Sequence, residues 1–68
     1  MNRKKLSRHR ARARMEELGI DELTVLAHLG ITSRALYYRF ARGWRESDAL
    51  HLAQVLECGV RDLEVQRG

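Results

Sequence analysis

The 68-residue chain has no proline, one cysteine, one tryptophan, one phenylalanine and two tyrosines. These shortages exclude whole classes of protein. A single cysteine cannot close an internal disulfide, so a disulfide-stapled secreted scaffold is ruled out and a reducing cytoplasm is the expected setting. No apolar run approaches the ~20 residues of a membrane span, and no apolar stretch follows the basic N-terminus as a secretory leader requires. The length suits neither a nucleotide-binding α/β fold nor a barrel enzyme. A chain this short buries only about 60% of the surface its unfolded form exposes, so added stability is expected from self-association or a partner. Nothing alternates strictly with period two, so strands are not expected.

Catalytic and metal-binding patterns are missing as well. His9, His28 and His51 lack the paired Cys/His spacing and the HExxH arrangement of zinc sites. Cys58 reads as a small core side chain, and Ser7, Ser33 and Ser47 as helix caps or contact residues rather than nucleophiles. No glycine loop is built to cradle a phosphate. The chain is therefore not expected to be an enzyme, nor to hold a metal, a cofactor or a small-molecule ligand.

What is present is positive charge, unevenly placed. The net charge is +4, with 44% apolar and 32% charged residues. Arg3, Lys4, Lys5, Arg8, Arg10, Arg12 and Arg14 crowd the N-terminus without an acid among them, and Arg34, Arg39, Arg42 and Arg45 form a second acid-free tract. Glu46, Asp48, Glu57, Asp62 and Glu64 make the C-terminal third acidic. A basic field of this kind attracts nucleic-acid phosphates or an anionic membrane, while the acidic end faces elsewhere.

Helices punctuated by glycine account for the rest. Ala11, Met15 and Leu18 recur on one face of a first helix over about 7–18, closed by Gly19. Asp21 caps a second, with Ile20 and Val25 as a hydrophobic staple, Leu23, Leu26 and Ala27 as its buried stripe, and Gly30 at its end. Thr32 caps a third, which buries Leu36 and Phe40 and stops at Gly43. Trp44 follows in a loop. Ser47 caps a fourth helix burying Ala49, Leu52, Ala53 and Leu56, and a last turn after Gly59 packs Val60 and Leu63. The expected fold is all-α: a small domain of four or five helices containing a helix–turn–helix over 22–43. Residues 1–10 are a basic arm or the start of the first helix, and 11–68 the domain.

A helix, a tight glycine turn and a second capped helix suit the ~12 Å wide major groove of DNA. With Leu36 and Phe40 turned inward, Ser33, Arg34, Tyr37 and Tyr38 face outward as candidates for base contact. Arg34 is suited to a bidentate pair with guanine, and a tyrosine ring to a thymine methyl. Thr32, at the helix N-terminus, is a candidate phosphate contact, as are Arg39, Arg42, Arg45, Arg3, Lys4, Lys5 and Arg8.

The stretch LGITSRALYYRF resembles the turn and third helix of bacterial helix–turn–helix regulators, and SDALHLAQVLECGVRDLEV resembles the closing helices of the Cro/CI (lambda-repressor-like) family. The second likeness rests on the spacing of Ala53, Leu56 and Leu63. The resemblance covers roughly 21–65. It implies an α-helical DNA-binding transcriptional regulator, a small repressor of phage or bacterial type that binds a palindromic operator as a homodimer. It also implies a nucleoid-associated location in the cytoplasm of a bacterial or phage-infected cell, and it sets Thr32, Ser33, Arg34, Tyr37 and Tyr38 on the family's DNA-contacting positions. Two positions depart from the pattern: Glu22 stands where the family often has glutamine, and Phe40 where it often has an acid.

Three further expectations follow. The first helix carries its charges against its dipole, with Arg8 and Arg10 at the positive end, each costing ~0.3–1 kcal/mol. That violation marks Met1 to Arg10 as a mobile arm ordered by DNA, or else a solvated tail. Trp44, Val60, Leu63 and Val65 are candidates for the dimer surface. The alternatives are an Arg-rich N-terminus that folds on RNA, and a protein-interaction module such as a small inhibitor or adaptor.

Overall fold

The computed structural model describes residues 3–65, which form an all-α domain of five helices: α1 (Arg8–Leu18), α2 (Glu22–Leu29), α3 (Ser33–Arg42), α4 (Glu46–Val55) and α5 (Val60–Leu63). There is no β-strand among the described residues. No helix there is long and apolar enough to cross a membrane.

Local chemistry sets most of the helix ends. The Ser7 hydroxyl accepts from Arg10 N–H at 3.1 Å, the Asp21 carboxylate from Thr24 N–H at 2.9 Å, and the Thr32 hydroxyl from Ala35 N–H at 3.2 Å. Each satisfies a backbone donor that the first helical turn leaves unpaired. The two Thr24 hydrogen bonds, first the backbone one, hold the Asp21 carboxyl below its ordinary pKa. The fourth helix departs from expectation: it begins at Glu46 after Arg45, with no side-chain cap, so Ser47 lies inside its first turn. Glu46 and Asp48 in that turn complement the helix dipole instead.

The buried stripe of α2 also differs from the expected one. Val25 is buried, whereas Leu23 is 73% exposed and Ala27 faces solvent. Glu22, Val25, Leu26 and Leu29 share the inward face, at the spacing i, i+3, i+4, i+7. A carboxylate at the first of these positions disguises the phase of the stripe.

The core joins Leu6, Ala11, Val25, Leu36, Trp44, Ala49, Leu52, Ala53, Leu56 and Leu63, with Met15, Phe40 and Val60 packed around it. At its centre lies Trp44, with no exposed surface. The Phe40 ring meets the indole edge-on, centroids 5.1 Å apart. Trp44 is thus a core residue and not a dimer contact, and Leu63, 1% exposed, is no dimer contact either. Both are consumed by the chain's own interior.

The basic N-terminus is not a free arm over its described part. Lys4 and Trp44 exchange both backbone hydrogen bonds at 2.8 Å, Ser7 N–H donates to Leu63 O at 2.6 Å, and Val65 N–H donates to Lys5 O at 3.1 Å. Leu6 is buried between these pairs, a contribution of about 1.5–3 kcal/mol. From Arg8 onward the segment belongs to α1. Met1 and Asn2 lie outside the described residues.

Gly43 makes this crossing possible. Its backbone sits at φ +110° and ψ 159°, a region essentially restricted to glycine, and a Cβ there would stand 2.8 Å from the Cβ of Arg3.

Arg14 closes the other end of the core. Its guanidinium donates to Leu56 O at 2.8 Å and to Glu57 O at 3.0 Å, capping the carbonyls at the end of α4. Glu57 there adopts φ +54°, unusual for a residue with a side chain. Burial, reinforced by nearby Asp62, raises the pKa of the adjacent Cys58 thiol, so it stays protonated at neutral pH.

Candidate functional site

The α3 sequence SRALYYRFAR contains no acid. Burying Leu36 and half-burying Phe40 turns the opposite side of the helix outward, and Arg34, Tyr37, Tyr38, Ala41 and Arg42 all lie there, exposed. Their spacing, i, i+3, i+4, i+7, i+8, makes one continuous strip. Tyr37 is 41% and Tyr38 55% exposed. Both are large aromatic groups held at a surface with basic neighbours and no carboxylate.

Each tyrosine has a guanidinium partner. Arg42 stands one turn beyond Tyr38, its Cζ 5.4 Å from the ring centroid. Arg8, from the start of α1, lies 4.1 Å from the centroid of Tyr37, and its Nη2 donates to the Tyr37 hydroxyl at 2.7 Å. Exposed contacts of this kind contribute about 0.5–1 kcal/mol, enough to offset the unfavourable placement of Arg8 at a helix N-terminus.

The N-terminal segment continues along the same helix. Lys5 Nζ donates to Ala41 O at 3.0 Å, and Arg3 reaches Gly43 O at 3.4 Å. Arg8 beside Tyr37, Lys5 beside Ala41 and Arg3 beside Gly43 make the segment run antiparallel to α3, as a basic rail along its flank. These contacts link residues 29 to 40 positions apart, a separation that no local pattern reveals.

Other expected site residues sit differently. Ser33 is half-buried at the α2-facing edge, where its hydroxyl donates to Glu22 at 3.2 Å. Arg39 turns inward, 3.8 Å from Asp48 and 5.6 Å from the Trp44 ring centroid. Lys4 pairs with Glu64 at 3.4 Å. Thr32 is exposed, its hydroxyl engaged as the α3 cap. Arg34, Arg42 and Arg45 are exposed and form no ion pair among the described residues. Of the remaining proposed dimer residues, Val65 is exposed and Val60 half-buried.

The chain matches no protein-family model, no curated protein and no solved structure. Its chemistry must be judged from its own side chains. Between α1, α2 and α3 a small cleft lined by Arg8, Arg12, Met15, Glu22 and Phe40 has room for about 20 Å³, the size of a single water rather than an organic molecule. Among the described residues no three His, Cys, Asp or Glu side chains are grouped to hold a metal. The strip on α3 combines exposed basic and aromatic side chains with no acid.

Proposed function

We propose that the chain is a sequence-specific DNA-binding regulator of the Cro/CI type, a small repressor that lays α3 in the major groove as the second helix of a helix–turn–helix. One observation carries this reading: the outward side of α3 combines Arg34, Tyr37, Tyr38 and Arg42 with no acid, and all of them are exposed. Arg34 near the N-terminal end of α3 is the guanine reader, and the tyrosine rings meet thymine methyls or base edges. Thr32, Arg42 and Arg45, together with the rail of Arg3 and Lys5, contact phosphates. Ser33 and Arg39, engaged with Glu22 and Asp48, contribute less than their sequence positions imply.

A helix of this length reads only a few base pairs, so the operative form is a homodimer on a palindromic operator, its α3 copies ~34 Å apart on successive grooves. Val65, 51% exposed, remains available for the two-fold contact. The setting is a bacterial or phage-infected cytoplasm, the location that such a regulator requires.

Selection of bound sequences from a random duplex pool tests the reading directly. A palindromic consensus is the expected result, and failure to enrich any sequence sinks the proposal. If each protomer engages ~3–5 phosphates, log K for the dimer falls with log salt at a slope of about −5 to −9. Arg34→Ala relaxes preference at one base position, with about 1–3 kcal/mol lost on the selected site. Arg42→Ala weakens selected and scrambled duplexes alike.

A further inference from the structure

We infer that Arg8 is a positioning residue that turns the Tyr37 hydroxyl proton toward an acceptor on a base edge; this rests on the reading of α3 proposed above. An arginine side chain offers five N–H donors and no acceptor. In the 2.7 Å contact between them, Arg8 must donate and Tyr37 must accept. The phenolic proton of Tyr37 is therefore directed away from Arg8, and among the described residues no group accepts it. The guanidinium also covers the ring, 4.1 Å from its centroid, which restricts the tilt of an otherwise 41% exposed side chain.

A ring held by the stack and a proton turned away from Arg8 make a directional probe. Tyr37 stands between Arg34 and Ala41 on the exposed side of α3, so the proton faces whatever that side meets. In the major groove the acceptors that match this proton are purine N7, guanine O6 and thymine O4, whereas the amino groups of cytosine and adenine offer it none. Arg8 thereby acts on sequence preference through Tyr37, in place of the phosphate contact that its position in the basic tract suggests. It also explains why α1 tolerates a cation at the positive end of its dipole.

The experiment presents a random duplex pool to the full chain and to Arg8→Ala, Arg8→Lys, Tyr37→Phe and the double variant Arg8→Ala/Tyr37→Phe. Arg8→Ala, Arg8→Lys and Tyr37→Phe are expected to lose preference at the same position of each half-site, with about a tenfold loss on the enriched duplex. The double variant falls no more than about twofold further, because the two side chains act as one unit. Lysine keeps the charge without the planar fork, so Arg8→Lys retains the original salt slope yet does not restore the preference. Without DNA, Arg8→Ala shifts the Tyr37 ring protons in the nuclear magnetic resonance spectrum while the melting temperature stays close to that of the unaltered chain.

Opposite outcomes overturn the inference. An Arg8→Ala variant that weakens enriched and scrambled DNA equally, flattens the salt slope and adds to the effect of Tyr37→Phe makes Arg8 a phosphate contact. Unchanged Tyr37 ring resonances remove the stack itself. If the unaltered chain enriches no sequence, it is the DNA-binding proposal that fails, a result distinct from retained selection with Arg8 uninvolved.

Discussion

The corners at Gly30 and Gly43 look alike in sequence, each a glycine between two helices, yet they are held by different physics. At Gly30 the backbone turns left-handed at φ +67°, its N–H closes on Leu26 O, and a Cβ there meets nothing within 4 Å. The turn is a local event, made by the residues on either side and by the Thr32 cap. At Gly43 a Cβ meets Arg3, and the next residue, Trp44, is clamped to Lys4 from the far end of the chain. The first corner needs a glycine for its own conformation. The second needs one for its own conformation and also because another part of the molecule passes against it.

That contrast orders a set of mutational effects. Trp44→Ala removes the centre of the core and costs about 3–5 kcal/mol, enough to unfold a small domain; chemical denaturation followed by circular dichroism measures it. Gly43→Ala combines a glycine-only conformation with the Arg3 clash and costs about 2–3 kcal/mol by the same assay. Arg14→Ala releases the Leu56 and Glu57 carbonyls at a cost of about 1–2 kcal/mol, part of it offset by water at the exposed end of the side chain. Gly30→Ala pays only the left-handed penalty, about 1 kcal/mol. Equal losses at Gly30 and Gly43 would falsify the distinction between the corners.

The smallest effect tests the local side by pH. Asp21 has its folded pKa below the unfolded value of about 3.9. Its contribution is therefore complete above that unfolded value and disappears as pH falls through the lower folded one. In Asp21→Asn the amide oxygen retains a cap without the titration, so stability measured by thermal melts across this acid window loses that one component of its pH dependence. An unchanged acid profile in this variant shows that the cap charge does not contribute.

Much of the helical layout was legible in the residues. Ser7, Asp21 and Thr32 are caps because their short oxygen-bearing side chains reach backbone donors three residues on, a relation contained in a few consecutive letters. Leu36 and Phe40 announce the inner side of α3, and Arg34, Tyr37 and Tyr38 follow outward by helical geometry. The misphased stripe of α2 has an equally simple cause: Leu23 is apolar but points to solvent, while Glu22 is charged but half-buried against Ser33. Ser47 carries the right chemistry for a cap but lies two residues past the N-cap position, since the chain enters α4 directly from the Trp44 bridge.

For the candidate site, the exposed strip was legible and its supports were not. Arg8 on Tyr37, Lys5 on Ala41 and Arg3 on Gly43 each require the two ends of a long loop of chain to meet, and periodicity carries no information about such meetings. The same holds for the inward turn of Arg39 toward Asp48 and Trp44. A basic run at the N-terminus reads as an arm from its charge alone. Leu6, one apolar residue among those charges, is what ties it down.

Short-range chemistry therefore specified that this chain would be helical, where most of its helices start and stop, and which side of α3 would carry basic and aromatic groups. Hydrogen bonds to capping side chains and the 3.6-residue period act within a turn or two of each residue, so neighbouring letters suffice to express them. Assembly of the chain settled that residues 3–8 lie along α3, that Trp44 is the centre of the core, and that Arg8 stands over Tyr37. Those outcomes depend on burying apolar surface between segments distant in sequence, and such burial exists only once the helices have come together.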